Sequence, residues 1–304
     1  MILSPLWLPV TLAAALFQCW RTAMQQRLRG ELSLNAAAVV RYLYGVPVGA
    51  ALLGLYLAAV GGGLPAPNPV FLLFCAAGGL MQIFGTNLLI MAFGHRGFAV
   101  GTAYAKTEAV QGAFLALVLL GERISPLAWL GIAVGVGGVL WLSLAGRRLT
   151  ARELLRATAQ PAALCGLAAG SGFALTSVLV KAANSALPGD DPVLRALVTL
   201  VVANVLQTLM QGGWLLAREP DQLRAVLVTW RSSAKVGALS AYGSACWFTG
   251  FALAPVALVR AVGQVEILFT LLFSRFYLGE RPTRGEIGGA LVLVLGVVLV
   301  LVGR

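Results

Sequence analysis

Charge is what this 304-residue chain has least of: Asp, Glu, Lys and Arg together make up 11% of it, where an ordinary soluble domain carries roughly 25%. It has one histidine, His95, and only 11 acidic residues, so no group of side chains dense enough for a metal centre stands out. The four cysteines, Cys19, Cys75, Cys165 and Cys246, stand singly among apolar neighbours with no CxxC pair. That excludes a zinc finger or a disulfide framework and leaves them as small hydrophobes. There is no Walker loop, zincin helix or G-x-S-x-G element. The adjacent Asp190 and Asp191 fall in a turn, where an Asx turn and a helix cap account for them. The chain reads as no enzyme, with no cofactor and no metal.

What it has instead is apolar length. Hydrophobic residues make up 59% and the mean hydropathy is +0.88. A membrane-spanning helix needs ~20 mostly apolar residues, and hydropathy gives ten such segments, near 5–28, 35–60, 69–93, 97–120, 125–145, 159–186, 192–217, 232–253, 256–278 and 284–302. We refer to these as spans 1 to 10. The first lacks an early Lys or Arg, and Leu16-Phe17-Gln18-Cys19 is no lipoprotein cleavage site, so it is read as a retained helix. Turn chemistry marks the breaks, as at Gly61 to Pro67, Pro188 to Pro192 and Ala254-Pro255. The net charge of +11 lies mostly between apolar runs, where it serves topology and anionic headgroups rather than nucleic acid.

The chain repeats itself. Leu120-Gly121-Glu122-Arg123 returns as Leu278-Gly279-Glu280-Arg281, and the same offset of 158 pairs Gly79 with Gly237, Gly85 with Gly243, Phe93 with Phe251, Glu108 with Glu266, Gly131 with Gly289 and Gly138 with Gly296. Residues 1–145 and 159–304 are read as two five-helix repeats joined by a polar linker, 146–158, that holds Arg147, Arg148, Arg152 and Arg156. An odd number of spans per half reverses the second in the membrane. The fold expected is therefore an all-α polytopic membrane protein with ten transmembrane helices in two inverted five-helix repeats, an architecture of secondary transporters.

A mid-helix carboxylate, an apolar run, Leu-Gly-Glu-Arg and a Gly-rich helix, twice over, resembles the EamA branch of the drug/metabolite transporter superfamily. The matching stretches run from Thr107-Glu108-Ala109 to Ser125 and from Val265-Glu266-Ile267 to Pro282. The family often has proline just after the mid-helix Glu, where this chain has Ala109 and Ile267. The resemblance implies a central cavity enclosed by spans 1–4 and 6–9, with spans 5 and 10 peripheral. It also implies a wide range of cargo, from amino acids and sugars to drugs and phosphorylated metabolites.

Ionisable groups at membrane depth cost about 2.5–3.5 kcal/mol each on insertion scales and usually face a cavity or a partner. Glu108 and Glu266 lead on that ground, each near the middle of its span. Tyr104, Glu108 and Gln111 are expected on one face of span 4, as are Gly263, Glu266 and Thr270 on span 9. One turn away, Thr102 and Lys106 correspond to Arg260 and Gln264, so each half supplies a cation. Carboxylates and cations converging on one site suit a zwitterion; the alternative is mutual salt-bridging without substrate contact. Span 1 places Gln18, Thr22 and Gln25 on a stripe beside Arg21, and span 6 places Ser177, Lys181 and Asn184 on another. Arg21 and Lys181 read as snorkelling cations. Arg41 either snorkels likewise or joins Tyr42 and Tyr44, whose rings can face an aromatic or amphipathic ligand, and Trp247 beside Phe248 is either a ligand contact or packing. The candidate substrate-binding set is thus Glu108, Glu266, Lys106, Arg260, Tyr104, Gln111, Gln264, Gln18, Arg41 and Trp247. The Leu-Gly-Glu-Arg corners read as surface turns, His95 beside Arg96 as interfacial, and Gly131 with Gly135 and Gly285 with Gly289 as close-packing stripes within the chain or in a dimer.

The function expected is secondary transport, in the direction of export, of a small amino-acid-like or amphipathic metabolite. The alternative is a flippase or translocator of a lipid-linked or phosphorylated substrate, in which Lys106, Arg260 and Arg41 bind phosphate. Expected partners are a small-molecule substrate, protons as an optional coupling ion and membrane lipids, with no nucleic acid, in a monomer or homodimer of the cytoplasmic (inner) membrane. Connections after odd-numbered spans hold Arg27, Arg29, Arg96, Arg147, Arg148, Arg152, Arg156, Arg218, Arg224, Arg231, Lys235, Arg281 and Arg284, against Arg123 and Arg304 on the other side. The resemblance implies both termini inside, but the positive-inside rule applied to these connections places both outside.

Overall fold

Among the described residues, four helices begin on proline after a non-helical residue, at Pro69, Pro126, Pro192 and Pro220, where the ring presets the backbone and the missing amide is one that no helix start can use. The computed structural model describes residues 4–28, 30–94, 104–144, 161–273 and 283–304. Among them every regular element is helical: α1 Trp7–Leu28, α2 Leu34–Leu43, α3 Gly45–Val60, α4 Pro69–Gly94, α5 Glu108–Leu120, α6 Pro126–Leu144, α7 Pro161–Ala186, α8 Pro192–Gln207, a π-turn Thr208–Gly212, α9 Gly213–Arg218, α10 Pro220–Val228, α11 Trp230–Leu253, α12 Val256–Gly263, α13 Glu266–Phe273 and α14 Arg284–Val302. His95, Arg96, Thr102, the linker 146–158 and the corner Leu278–Arg281 lie outside the described residues.

Among the described residues six stretches are long and apolar enough to cross a membrane: Leu34–Val60, Pro69–Met91, Pro161–Ala186, Pro192–Arg218, Val256–Phe273 and Arg284–Val302. The packing is that of a protein in lipid. Large side chains such as Leu55, Leu73, Val118, Leu291 and Val302 face outward, while Ala36, Ala37, Ala38, Ala163 and Ala174 are fully buried. Against hydrocarbon a buried leucine gains little, so helices approach one another on small residues. The chain is a multi-pass membrane protein.

Two compact units form, each drawn from both halves of the sequence: Met1–Ile83 with Thr176–Ala254, and Phe84–Leu175 with Pro255–Arg304. In the first, α1 lies along α11, and α3 meets α8 where Gly49 leaves room for Leu200 and Val201. Span 2, expected as one helix, turns at Tyr44, where the backbone leaves regular helical geometry at φ −82° and ψ −13°. Both α11 and α10 pack against this turn: a Cβ on Gly237 of α11 would collide with the Tyr44 Cβ, and the Tyr44 hydroxyl donates to the Val226 carbonyl of α10 at 3.0 Å. Asp191 caps α8 through the amides of Val193 and Leu194 and accepts from the Tyr56 hydroxyl at 2.9 Å, so the expected cap also tethers the end of α3.

In the second unit α6 and α14 run antiparallel with backbones in contact. A Cβ on Gly131 would meet the Gly296 carbonyl at 2.8 Å, and one on Gly138 the Gly289 carbonyl at 2.9 Å. The glycine stripe is thus used inside the chain. At the far end of α14 the Ser125 hydroxyl donates to the Gly303 carbonyl. The corner at Gly121 takes the left-handed conformation, φ +67°, that glycine permits, with its amide and that of Glu122 both reaching the Ala116 carbonyl. Glu122 does more than mark a surface turn: its Oε2 accepts from the Val256 amide at 2.8 Å and caps the start of α12.

Candidate functional site

Spans 4 and 9, expected as continuous helices, are both interrupted, and at equivalent positions. Lys106 and Thr107 form a turn just before α5, and Gln264 and Val265 form one just before α13. The hydrogen bonds tighten there to three residues: the Thr107 amide to the Tyr104 carbonyl at 3.1 Å, Gln264 to Ala261 at 3.2 Å and Val265 to Val262 at 3.1 Å. Gly263 precedes one pinch; at the other the Thr107 hydroxyl takes the Tyr104 carbonyl at 2.6 Å, a side-chain bond that competes with the helix ladder. The expected faces are therefore corrected. Tyr104, Glu108 and Gln111 do not lie on one unbroken helix, nor do Gly263, Glu266 and Thr270. Glu108 and Glu266 instead open α5 and α13, where the helix dipole favours a carboxylate by about 0.3–1 kcal/mol.

The four charges pair across the halves of the sequence. Lys106 Nζ lies 2.9 Å from Glu266 Oε2, with side chains 18% and 12% exposed. Arg260 Nη1 lies 3.5 Å from Glu108 Oε1, both side chains 10% exposed, and Arg260 Nη2 donates to the Phe173 carbonyl at 3.1 Å. Gln264 Nε2 donates to the Lys106 carbonyl at 3.4 Å, so one pinch holds the other. Two neutral pairs remove the cost of four isolated charges at membrane depth.

A hydrogen-bonded chain braces the first pinch from α7. The Ser171 hydroxyl donates to Gln111 Oε1 at 2.6 Å, and Gln111 Nε2 donates to Thr107 Oγ1 at 2.8 Å. Gly170 lets α7 come this close, since a Cβ there would sit 2.9 Å from the Ala105 carbonyl. Ser171 and Glu122 were not among the expected site residues. The spacing of 158 could not reveal them, because their partners lie 60 and 134 residues away.

Seven of the ten candidates, Tyr104, Lys106, Glu108, Gln111, Arg260, Gln264 and Glu266, belong to the second unit. Gln18, Arg41 and Trp247 belong to the first. There Trp247 Nε1 donates to Gln18 Oε1 at 3.0 Å, and the Trp247 and Phe251 rings stack 5.9 Å apart. Arg41 is buried, with Nε donating to the Ser240 hydroxyl at 3.3 Å and its guanidinium 5.5 Å from the Tyr42 ring centroid. Lys181, expected to snorkel, instead donates to the Ala254 carbonyl at 2.7 Å, a cation at the end of α11. Gln25, from the span 1 stripe, donates to the Ala37 carbonyl at 2.7 Å.

Comparison with known proteins fits this arrangement. Residues 160–302 match the EamA-like transporter family. Pseudopaline exporter CntI, from two strains of Pseudomonas aeruginosa, is 28% identical over 139 residues, a match that spans 45% of this chain and 45% of the exporter. A solved crystal structure superposes on 96% of this chain and 98% of its own length, with a TM-score of 0.70 at 18% identity, which establishes a common fold. Residues 160–302 are accordingly an EamA-like transporter domain within a multi-pass membrane protein.

Proposed function

We propose that this chain is a secondary transporter of ten membrane-spanning helices in two inverted five-helix repeats, residues 1–145 and 159–304, that exports a small amino-acid-like or amphipathic metabolite across the inner membrane by alternating access. The observation that carries this reading is the matched pair of helix breaks, each delivering a carboxylate that pairs with a cation of the other repeat. Interrupted helices at corresponding positions of two halves are the sequence-level mark of a transporter binding site.

Several features support the finer points. Support for ten spans comes from the six long apolar stretches together with the shorter Glu108–Leu120 and Pro126–Leu142 and with α1 and α11. The contact of Gly131 with Gly296 becomes that of Gly289 with Gly138 under the 158-residue shift, as two related halves packed about a two-fold axis require. Export is taken from the name of the relative.

A zwitterion fits the paired charges. Its carboxylate can replace Glu266 beside Lys106 while its ammonium replaces Lys106 beside Glu266, so no net charge is buried at any stage. Lys106, the most exposed of the four, is where a solute first competes. Gln264, Gln111 and Tyr104 flank that pair and Glu108 with Arg260 backs it; Gln18, Arg41 and Trp247 form a separate candidate set. A phosphorylated or lipid-linked cargo calls for cations in excess, whereas both break cations are matched by carboxylates.

The test is flux of radiolabelled amino acids in proteoliposomes alongside scrambling of a fluorescent lipid. Saturable amino-acid counterflow with no scrambling is expected. Scrambling without solute flux overturns the reading in favour of a flippase.

A further inference from the structure

The segment joining α9 to α11 has no part in the proposed site, yet it is built with care. α10 has nine residues, roughly 13 Å of helix, too short to cross ~30 Å of hydrocarbon. Its inner face is fixed by Val226, fully buried against Leu28, Leu32, Ala36 and Val40. Its start is clasped by the loop before α2: Glu219 accepts from the Ser33 hydroxyl at 2.7 Å and from Asn35 Nδ2 at 3.0 Å, and Gln222 Oε1 accepts from the Ser33 amide at 2.7 Å. Both oxygens of Glu219 are thus engaged within the protein, and between residues 219 and 235 the only other acid is Asp221.

The outer face is of a different kind. Leu227, Val228 and Trp230 are 56%, 74% and 55% exposed, beside exposed Arg224, Arg231 and Lys235. The Arg231 guanidinium lies 5.6 Å from the Trp230 ring centroid, which holds a cation at the depth of an indole. Bulky apolar side chains, an indole and three cations gathered on α10 and the start of α11 match the boundary between acyl chains and phosphates.

From this we propose that α10 and the first turns of α11 form a docking surface for the headgroups of anionic phospholipids. Leu227 and Val228 enter the acyl region, Trp230 sits at the interface, and Arg224, Arg231 and Lys235 meet the phosphates. A zwitterionic headgroup offers the same apolar contacts without net charge, so the surface selects by headgroup charge. Removing three cations from an anionic surface lowers that preference by on the order of 100-fold.

The experiment uses the full chain reconstituted in phosphatidylcholine vesicles that contain either acyl-brominated phosphatidylglycerol or acyl-brominated phosphatidylcholine at equal mole fraction. The contribution of Trp230 is read as the difference in fluorescence between the unaltered chain and Trp230→Phe. Brominated phosphatidylglycerol is expected to quench it several-fold more than brominated phosphatidylcholine, and Arg224→Gln with Arg231→Gln and Lys235→Gln together should abolish the difference. If the triple variant fails to reconstitute, raised salt on the unaltered chain must weaken the preference instead. Equal quenching by both lipids, absence of quenching by either, or a preference indifferent to salt overturns the proposal.

Discussion

Lys106 and Glu266 stand 160 residues apart in the sequence and 2.9 Å apart in the structure, each beside an interruption of its own helix. Their ion pair therefore ties the two pinched segments together, beside the hydrogen bond from Gln264 to the Lys106 carbonyl.

Glu266→Gln and Glu108→Gln should each lower transport on the order of tenfold or more, the loss of one charge-assisted contact of ~1.5–3 kcal/mol, while leaving membrane insertion intact. Proteoliposome flux and yield in the membrane fraction measure the two quantities. Near-normal flux in both variants would assign the carboxylates a purely structural role.

A double-mutant cycle separates packing from transport. Removing one partner of a buried pair costs ~3–5 kcal/mol, whereas removing both leaves no orphan charge. Lys106→Met should lower the Tm, and Lys106→Met with Glu266→Gln should recover most of the loss without restoring flux. Recovery of flux in the double variant would sink the substrate-binding role of the pair.

The glycine seam offers a stability test. Gly296→Val places a Cβ 2.4 Å from the Gly135 amide nitrogen, against backbone that cannot yield, and should destabilise by at least the ~1–3 kcal/mol of ordinary overpacking. Gly137→Ala, with nothing within 4 Å of its Cβ, is the control and should leave the Tm unchanged. Thermal melts in detergent compare them.

Losing the Glu122 carboxylate should release the start of α12. Glu122→Ala is expected to cost ~0.5–2 kcal/mol, the range for a lost helix cap, with a Tm lower than that of Glu122→Gln, which retains an acceptor for the Val256 amide. Equal Tm values for all three chains would show that the cap contributes nothing.

Orientation follows from charge. Thirteen Lys and Arg residues in connections after odd-numbered spans, against Arg123 and Arg304, predict that both termini lie outside the cytoplasm. A carboxy-terminal alkaline phosphatase fusion should be active and a green fluorescent protein fusion dark; the opposite pattern reverses the topology.

The ends of the helices were legible in the sequence because proline, glycine and hydropathy act locally: span 10 matches α14 at residues 284 and 302, and Asp191 is the cap its turn suggested. The interruptions were not. Neither Lys106-Thr107 nor Gln264-Val265 holds a proline, and the pinches combine a local bond, that of the Thr107 hydroxyl to the Tyr104 carbonyl, with bonds to groups brought in by folding, such as that of Gln264 to the Lys106 carbonyl. Lys181 misled for a similar reason, since its partner is a main-chain carbonyl that no side-chain pattern announces. The charges themselves were visible, and so was their alternative fate as mutual pairs. Which charge meets which was settled only by the packing of unlike positions, Lys106 with Glu266 and Arg260 with Glu108.

The seam between α6 and α14 also bears on ancestry. Contacts that change places when the halves are exchanged are isologous, the kind a single five-helix polypeptide makes with an antiparallel copy of itself. A mutation in such an ancestor would strike both sides of the seam at once. In the present chain the two sides are separate residues that share one constraint, since a Cβ on Gly131 would meet the Gly296 carbonyl and one on Gly138 the Gly289 carbonyl.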